Sequence, residues 1–237
     1  MKLTSMLFPK TCPMCGRAIP EHAEICPDCR ERLHYVGEPK CKKCGKPFDS
    51  EEEQAIYREY CGDCEKNPHV YDMGMALFYY DETVRESIYR FKYHGQQTYG
   101  GFYGMAMAKH YGRQILALGV QAIVPVPISR QKKITRGYNQ AELIADSLGM
   151  ALRLPVLKET LIRTRNTVPQ KELDNAGRRN NLKNAFKIQG NIVQYKQVLL
   201  VDDIYTTGST ADACALALKA ADIKRVYFIS VAISEGI

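Results

Sequence analysis

An uninterrupted apolar run at residues 198–201 is followed by two adjacent carboxylates and then by a turn rich in hydroxyl side chains. Four apolar residues without polar alternation are typical of a strand buried on both faces, as in a parallel sheet covered by helices. The helix-prone residues 211–221 begin directly after the turn. The pattern therefore predicts a buried strand, a loop and a helix in succession.

Hydrophobic periodicity predicts further strands and helices elsewhere in the chain. Strands are predicted at residues 73–80, 122–128 and 226–232, and helices after Asp81, over residues 99–118 and around Leu143, Ile144 and Leu148. Pro125 and Pro127 cannot donate to a β-ladder, so their strand must end there or lie at a sheet edge. Strands that alternate with helices indicate an α/β fold with a mostly parallel sheet flanked by helices.

The turn after the buried strand has the composition of a phosphate site. This hydroxyl loop consists of Thr206, Thr207, Gly208, Ser209 and Thr210. A glycine lets backbone amides close around an anion, and the following helix directs its free N–H groups, with roughly half a positive charge, at the same place. A helix-capping role would explain only one of the hydroxyls.

The two carboxylates before the loop, Asp202 and Asp203, would repel a phosphate. We therefore expect them to face ribose hydroxyls or a magnesium shell on the same ligand, which makes a sugar phosphate the predicted ligand. The stretch resembles the phosphoribosyl-pyrophosphate signature of type I phosphoribosyltransferases. That resemblance implies that residues 206–210 cradle the 5′-phosphate and that Asp202 and Asp203 address the ribose 2′- and 3′-hydroxyls.

Eight of the nine cysteines precede residue 65 and form four Cys-x-x-Cys pairs. The pairs are Cys12 and Cys15, Cys26 and Cys29, Cys41 and Cys44, and Cys61 and Cys64. Two such turns can close a tetrahedron of thiolates around Zn²⁺, so the segment predicts two structural zinc sites. Sequential pairing, with one zinc in each half, is the simpler assignment, and interleaved pairing stays open.

Other interpretations of the cysteines have less support. Disulfides require an oxidising compartment, and a thioredoxin-like motif needs a single pair beside a βαβ unit. An iron–sulfur cluster stays open because thiolates bind both metals. Since four thiolates already complete each site, we expect the neighbouring His22, His34 and His69 to be surface residues.

A basic turn follows the strand at residues 122–128 and includes Arg130, Lys132, Lys133 and Arg136. A basic turn between a strand and a helix predicts a second anion site, for which a solvated charged loop is the ordinary alternative. Residues 161–187 contain few core-forming side chains, which predicts a mobile polar segment that covers an active site. Its candidate residues are Arg163, Arg165, Thr167, Gln170, Arg178 and Asn180.

Charge is distributed unevenly along the 237 residues. Residues 1–70 contain 11 Lys+Arg and 12 Asp+Glu, a net −1, whereas the remaining 22 and 14 give +8. The basic part suits a polyphosphate ligand or nucleic acid. We place a double zinc ribbon at residues 1–69 and an α/β domain at 70–237. Because no apolar run approaches the roughly 20 residues of a membrane span, we expect no such span and a cytoplasmic location.

The combination of these features resembles the ComF competence proteins, a branch of the amidophosphoribosyltransferase-like group. The matching elements are the double zinc ribbon, residues 91–95, 124–127, 136–140 and 163–180, and the hydroxyl loop. The resemblance implies a type I phosphoribosyltransferase fold. It also implies a role in handling incoming single-stranded DNA in bacteria competent for transformation.

The leading hypothesis is a phosphoribosyltransferase that binds phosphoribosyl pyrophosphate with Mg²⁺. Asp202 and Asp203 would hold the ribose, while Arg130, Arg136 and magnesium would stabilise the departing pyrophosphate. The alternative is a non-catalytic protein that binds a nucleotide or single-stranded DNA through the same site. A third hypothesis is a scaffold whose ribbons dock a competence helicase or another DNA-processing protein. The acceptor and the oligomeric state are left open by the sequence.

Overall fold

The computed structural model describes residues 10–48, 58–164 and 185–234. Its centre is a four-stranded sheet in the order β1-β6-β5-β2, and every neighbouring pair in it is parallel. Two short antiparallel strands, β3 and β4, pair outside this sheet. The strands are β1 (Met73–Tyr79), β2 (Ala122–Pro125), β3 (Leu161–Arg163), β4 (Phe186–Ile188), β5 (Gln197–Tyr205) and β6 (Arg225–Ile233).

The described helices connect and cover these strands. They are α1 (Pro27–Glu31), α2 (Gly62–Lys66), α3 (Glu82–Tyr93), α4 (Tyr99–Ala117), α5 (Arg130–Arg136), α6 (Gln140–Leu152) and α7 (Ser209–Ala220). As expected, Asp81 caps α3 by accepting a hydrogen bond from the Val84 N–H at 2.9 Å. α4 and α6 pack closely because Gly104 has no Cβ; one built there would lie 2.5 Å from the Ser147 Cβ.

Alternate residues of the central strands enter two hydrophobic cores, one on each sheet face. Leu199 and Val201 of β5 join the core that contains α3, α4, α6 and the first cysteine pairs. Val198 and Leu200 join the core that contains α7, the β3–β4 pair and the later cysteine pairs. The sheet is therefore covered on both faces, which accounts for the unbroken apolar run in β5.

The chain between the two groups of cysteines runs along the outer edge of β1. The Val36 N–H donates to Leu77 O and the Tyr79 N–H donates to His34 O, each at 3.0 Å. This antiparallel bridge covers an edge strand that would otherwise present unpaired backbone groups to another chain. The zinc-ribbon segment thus packs directly on the sheet instead of hanging from it by a linker.

The observed architecture confirms the predicted α/β class, a mostly parallel sheet flanked by helices. β2 ends at Pro125 and lies at the sheet edge, as its prolines predict. In the described ranges no helix is long and apolar enough to cross a membrane. The division at residue 70 stays a prediction.

Candidate functional site

The sheet order brings the acidic pair and the basic turn to the same edge. β2 and β5 are parallel neighbours, and the Val126 N–H donates to Val201 O at 2.9 Å just beyond β2. Asp202 and Asp203 lie inside β5, near its carboxyl end, and α5 follows the carboxyl end of β2. The carboxyl ends of parallel strands are where open α/β sheets bind their ligands.

Asp203 is held by a lysine that the sequence did not single out as a site residue. The Lys92 ammonium lies 2.8 Å from Oδ2 and 2.9 Å from Oδ1 of Asp203. Both side chains are mostly buried, with 16% and 14% of their surface exposed. A charge pair shielded to this degree fixes the carboxylate in one orientation and compensates its charge.

Asp202 has a strongly perturbed ionisation. Burial, followed by the charge of Asp203, raises the pKa of the Asp202 carboxyl to about 7. The Asp203 N–H, which donates to Asp202 Oδ1 at 2.8 Å, and the ammonium groups of Lys92 and Lys132 act in the opposite direction. A carboxyl poised between its charged and neutral forms near neutral pH is a frequent property of functional sites.

A group of cations faces these two carboxylates. Burial, and then the charges of Arg136, Arg163 and Lys92, lower the pKa of the Lys132 ammonium. Arg136 is oriented by Gln140, whose Oε1 accepts at 3.0 Å, and its guanidinium lies 5.0 Å from the Tyr93 ring centroid. The cluster therefore has the charge to attract an anion next to the acids.

Of the basic residues chosen from the sequence, Arg136 lies within this cation group, whereas Arg130 is exposed at the first position of α5. Arg163 belongs to β3, and its guanidinium is 5.5 Å from the Phe186 ring centroid. The remaining candidates of the polar segment lie outside the described residues: Arg165, Thr167, Gln170, Arg178 and Asn180.

The hydroxyl loop forms the start of α7. Gly208 has a φ of +73°, a left-handed conformation that favours glycine, and it occupies the position just before the helix. The Thr207 and Ser209 hydroxyls lie 2.8 Å apart, and the Asp212 N–H donates to Gly208 O at 2.8 Å. Since the first amides of a helix have no intrahelical acceptor, this turn can bind an anion.

The eight amino-terminal cysteines form two four-thiol clusters with sequential pairing. One contains Cys12, Cys15, Cys26 and Cys29, and the other Cys41, Cys44, Cys61 and Cys64. Within each cluster the sulfur atoms lie within 4.8 Å of one another. The Sγ separations of 3.7 Å for Cys15–Cys26 and for Cys44–Cys61 match the edge of a tetrahedron with a Zn–S distance of about 2.3 Å. The donor set therefore fits structural zinc.

Backbone amides support this zinc assignment. The Cys26 N–H points to Cys12 Sγ at 3.5 Å, and the Cys61 N–H points to Cys41 Sγ at 3.3 Å. Such contacts stabilise thiolates, the form that binds metal. Cys214, the ninth cysteine, is fully buried in α7 as a small apolar residue.

His69 is not the surface residue that the sequence suggested. Its side chain is only 8% exposed, and its ring lies between the second zinc ribbon and the hydroxyl loop. Nδ1 lies 2.7 Å from Asp212 Oδ2, and Nε2 lies 3.0 Å from the Tyr205 hydroxyl. The prediction was wrong because it considered only metal ligation and could not foresee the loop packing on this ring. His22 and His34 are exposed, as expected.

Comparison with known proteins identifies relatives of this chain. A family model described as "Double zinc ribbon domain" matches residues 3–65. "Competence protein F" of Haemophilus influenzae is 32% identical, over 85% of this chain and 93% of that protein. "Competence protein ComFC" of Bacillus subtilis is 26% identical, over 82% and 78%. "DNA utilization protein YhgH" of Escherichia coli K12 is 27% identical, over 90% and 92%.

Among solved structures, an adenine phosphoribosyltransferase from Leishmania donovani is 17% identical, covers 55% of this chain and 64% of its own, and has a TM-score of 0.35. An identity of 32% over 85% of this chain is sufficient to assign it to the family of the Haemophilus protein. The chain belongs to the ComF family of competence proteins.

Proposed function

We propose that this protein binds phosphoribosyl pyrophosphate together with Mg²⁺ and acts as a phosphoribosyltransferase associated with DNA uptake. One observation carries the proposal. A partly buried acidic pair near the carboxyl end of β5 is followed directly by a glycine-centred hydroxyl loop at the start of α7. A sugar phosphate is the ligand that satisfies both halves of this arrangement.

The 5′-phosphate is assigned to the hydroxyl loop, Thr206, Thr207, Gly208, Ser209 and Thr210. There the helix start supplies amide donors and a partial positive charge. Asp202 and Asp203 are assigned to the ribose 2′- and 3′-hydroxyls. Lys92 already holds the Asp203 carboxylate in place, so little reorganisation is needed when the ribose arrives.

Pyrophosphate is assigned to the cations beyond β2. Arg136 and Lys132 lie within the cluster, and Arg130, which is exposed at the first position of α5, is proposed as a further contact to the pyrophosphate. Loss of pyrophosphate from C1 places positive charge on the sugar and negative charge on the leaving group. The carboxylates would stabilise the positive charge on the sugar. The arginines and the lysine would stabilise the negative charge on the pyrophosphate.

The site also fits a role for Mg²⁺, because the carboxylates of Asp202 and Asp203 are hard oxygen donors of the kind this cation prefers. When bound with the ligand's phosphates, Mg²⁺ would neutralise charge on the leaving group. Above a pH of about 7, the pKa of Asp202, this carboxylate is mostly charged and can accept hydrogen bonds from ribose hydroxyls.

Titration calorimetry of the full-length protein with phosphoribosyl pyrophosphate, with and without Mg²⁺, tests the assignment. We expect magnesium-dependent binding that is lost in the Asp202→Asn, Asp203→Asn double variant. Asp146→Asn, which alters a half-exposed pair with Lys158, is the matched control and should bind normally. Unchanged binding in the double variant would remove the acidic pair from the site. A pyrophosphate-release screen across acceptors then tests for turnover.

A second candidate function is single-stranded DNA or nucleotide binding without turnover, and a surface feature favours it. Tyr89 and Tyr93 are 56% and 53% exposed, their ring centroids lie 5.0 Å apart, and Arg136 lies over Tyr93. Exposed aromatics beside cations are the usual platform for unpaired bases. We expect salt-sensitive strand binding that weakens in Tyr89→Ala and in Arg130→Gln, Arg136→Gln; insensitivity to both changes would dismiss this candidate.

A further inference from the structure

A partly buried hydrogen-bonded network of side chains joins the segment after the second zinc ribbon to the hydroxyl loop. Asp212 of α7 contacts His69 at 2.7 Å, His69 contacts the Tyr205 hydroxyl at 3.0 Å, and Tyr205 contacts the Tyr71 hydroxyl at 2.8 Å. These contacts connect residues that are 134 to 143 positions apart in sequence. The hydrogen-bonded network therefore depends on tertiary structure, and no local sequence pattern predicts it.

The His69 ring is packed against the centre of the hydroxyl loop. A Cβ built on Gly208 would lie 2.7 Å from His69 Cε1 and 2.7 Å from the Tyr205 hydroxyl. Two of the four side chains in the hydrogen-bonded network, His69 and Tyr205, therefore leave no room for a side chain at position 208, and the backbone there has a left-handed φ of +73°. Movement of the ring would remove the support behind the loop.

Asp212 also affects anion binding at the hydroxyl loop, because its carboxylate lies in the first turn of the helix that begins with the loop. Both carboxylate oxygens of Asp212 make hydrogen-bond contacts with the segment that follows the second ribbon. Oδ2 contacts His69 Nδ1, and Oδ1 accepts from the Val70 N–H at 2.7 Å. These two contacts fix the carboxylate, which would otherwise be able to rotate toward an anion at the helix start and repel it.

The second ribbon packs against Tyr71, at the other end of the hydrogen-bonded network. Tyr71 is fully buried, and its ring is stacked on His69 with centroids 4.7 Å apart. The Lys43 ammonium lies 5.8 Å from the Tyr71 ring centroid, and Lys43 O accepts from the Gly74 N–H at 2.7 Å. The ribbon thus packs against the same groups that support the loop.

We propose that His69 is a positioning residue that sets the conformation of the hydroxyl loop for the 5′-phosphate of the ligand. The identity of this ligand rests on the proposed function, whereas the support of the loop by His69 does not. His69 acts by packing on Gly208 and by fixing the Asp212 carboxylate, and it does not contact the ligand. Affinity for the phosphate end of the ligand therefore depends on a side chain outside the ligand site.

Hydrogen exchange on the ligand-free, zinc-loaded full-length protein is the first test. We expect faster exchange of the amides at residues 204–212 in His69→Ala, with partial recovery in His69→Asn, whose amide can keep the bond to Asp212. Peptides of α6 should be unchanged in both variants. His34→Ala is the matched control, because His34 also pairs with an aspartate, Asp81, but is 68% exposed. Unchanged exchange at 204–212 would overturn the proposal.

Ligand binding is the second test, with ribose 5-phosphate and magnesium pyrophosphate as separate probes. We expect His69→Ala to weaken ribose 5-phosphate at least about 10-fold, since small misplacements of a binding group are costly, and to leave magnesium pyrophosphate unchanged. Equal weakening of both probes would indicate general damage and overturn the positioning role. Failure of the wild type to bind either probe would contradict the proposed function, whereas the exchange result stands by itself. If His69→Ala does not fold, His69→Asn decides both tests.

Discussion

Replacing Asp202 by Asn should make the ligand-free protein more stable at neutral and alkaline pH. The folded protein must hold a second carboxylate next to Asp203 in a buried position, and this raises the pKa of Asp202 from 3.8 to about 7. Asn has nearly the same shape and no charge. Its Oδ1 can still accept the hydrogen bond that the Asp203 N–H donates to Asp202.

The size of the effect follows from proton linkage. Between a pH of about 4 and a pH of about 7 the folded protein retains a proton that the unfolded chain has lost, so the free energy of unfolding of the wild type falls as the pH rises. Each pH unit in this window contributes about 1.4 kcal/mol. Over the window from 3.8 to about 7 the gain from Asp202→Asn reaches up to about 4 kcal/mol.

Urea unfolding of both proteins at pH values from 4.5 to 8.5 measures this difference. We expect a gain of about 1 kcal/mol at pH 4.5 that grows toward pH 7 and then levels off. Asp146→Asn should differ from the wild type by no more than about 1 kcal/mol at any pH, because its ion pair with Lys158 is half-exposed. A variant that is destabilised at pH 8, or a gain that does not vary with pH, would refute the reasoning about Asp202.

Three further predictions address the cation, the loop and the metal. Lys92→Met should lower the free energy of unfolding by about 3–5 kcal/mol at pH 8, because it leaves the buried Asp203 charge without its partner, and urea unfolding will show it. Gly208→Ala should weaken ribose 5-phosphate binding in calorimetry, since a Cβ would meet His69 and the residue would keep a positive φ; normal affinity would contradict the packing. Cys29→Ser should reduce bound zinc from two ions to one in a metal assay, whereas Cys214→Ser, which alters an equally buried thiol outside both clusters, should keep two.

The pH dependence of ligand binding gives a further expectation. If the Asp202 carboxylate accepts hydrogen bonds from the ribose hydroxyls, as proposed, affinity for phosphoribosyl pyrophosphate should fall as the pH drops below about 7 and the carboxylate is protonated. Lys92 favours the charged form of Asp202, so Lys92→Met should move the midpoint of this fall to higher pH. Calorimetry at several pH values measures both midpoints. A wild-type affinity that is constant from pH 6 to pH 8 would argue against a role for Asp202.

Much of this protein was predictable because the relevant signals are local. Unbroken apolar residues in β5 follow from burial on both sheet faces, and this pattern is visible within four residues. The cysteine pairs predict zinc because each Cys-x-x-Cys turn already holds two ligands side by side. The placement of Asp202, Asp203 and Gly208 along one strand, loop and helix likewise depends on neighbours in sequence.

Only the tertiary structure decided which distant residues meet these local elements. Lys92 and Asp203 are 111 positions apart, and His69 and Asp212 are 143 positions apart. A lysine on an amphipathic helix or a histidine beside a zinc ribbon carries no mark of its eventual partner. The packing of α3 and of the second ribbon against β5 and α7 creates those contacts. The sequence alone thus determined the fold class, the cysteine clusters and the location of the hydroxyl loop, whereas packing determined the raised pKa of Asp202 and the support of the loop.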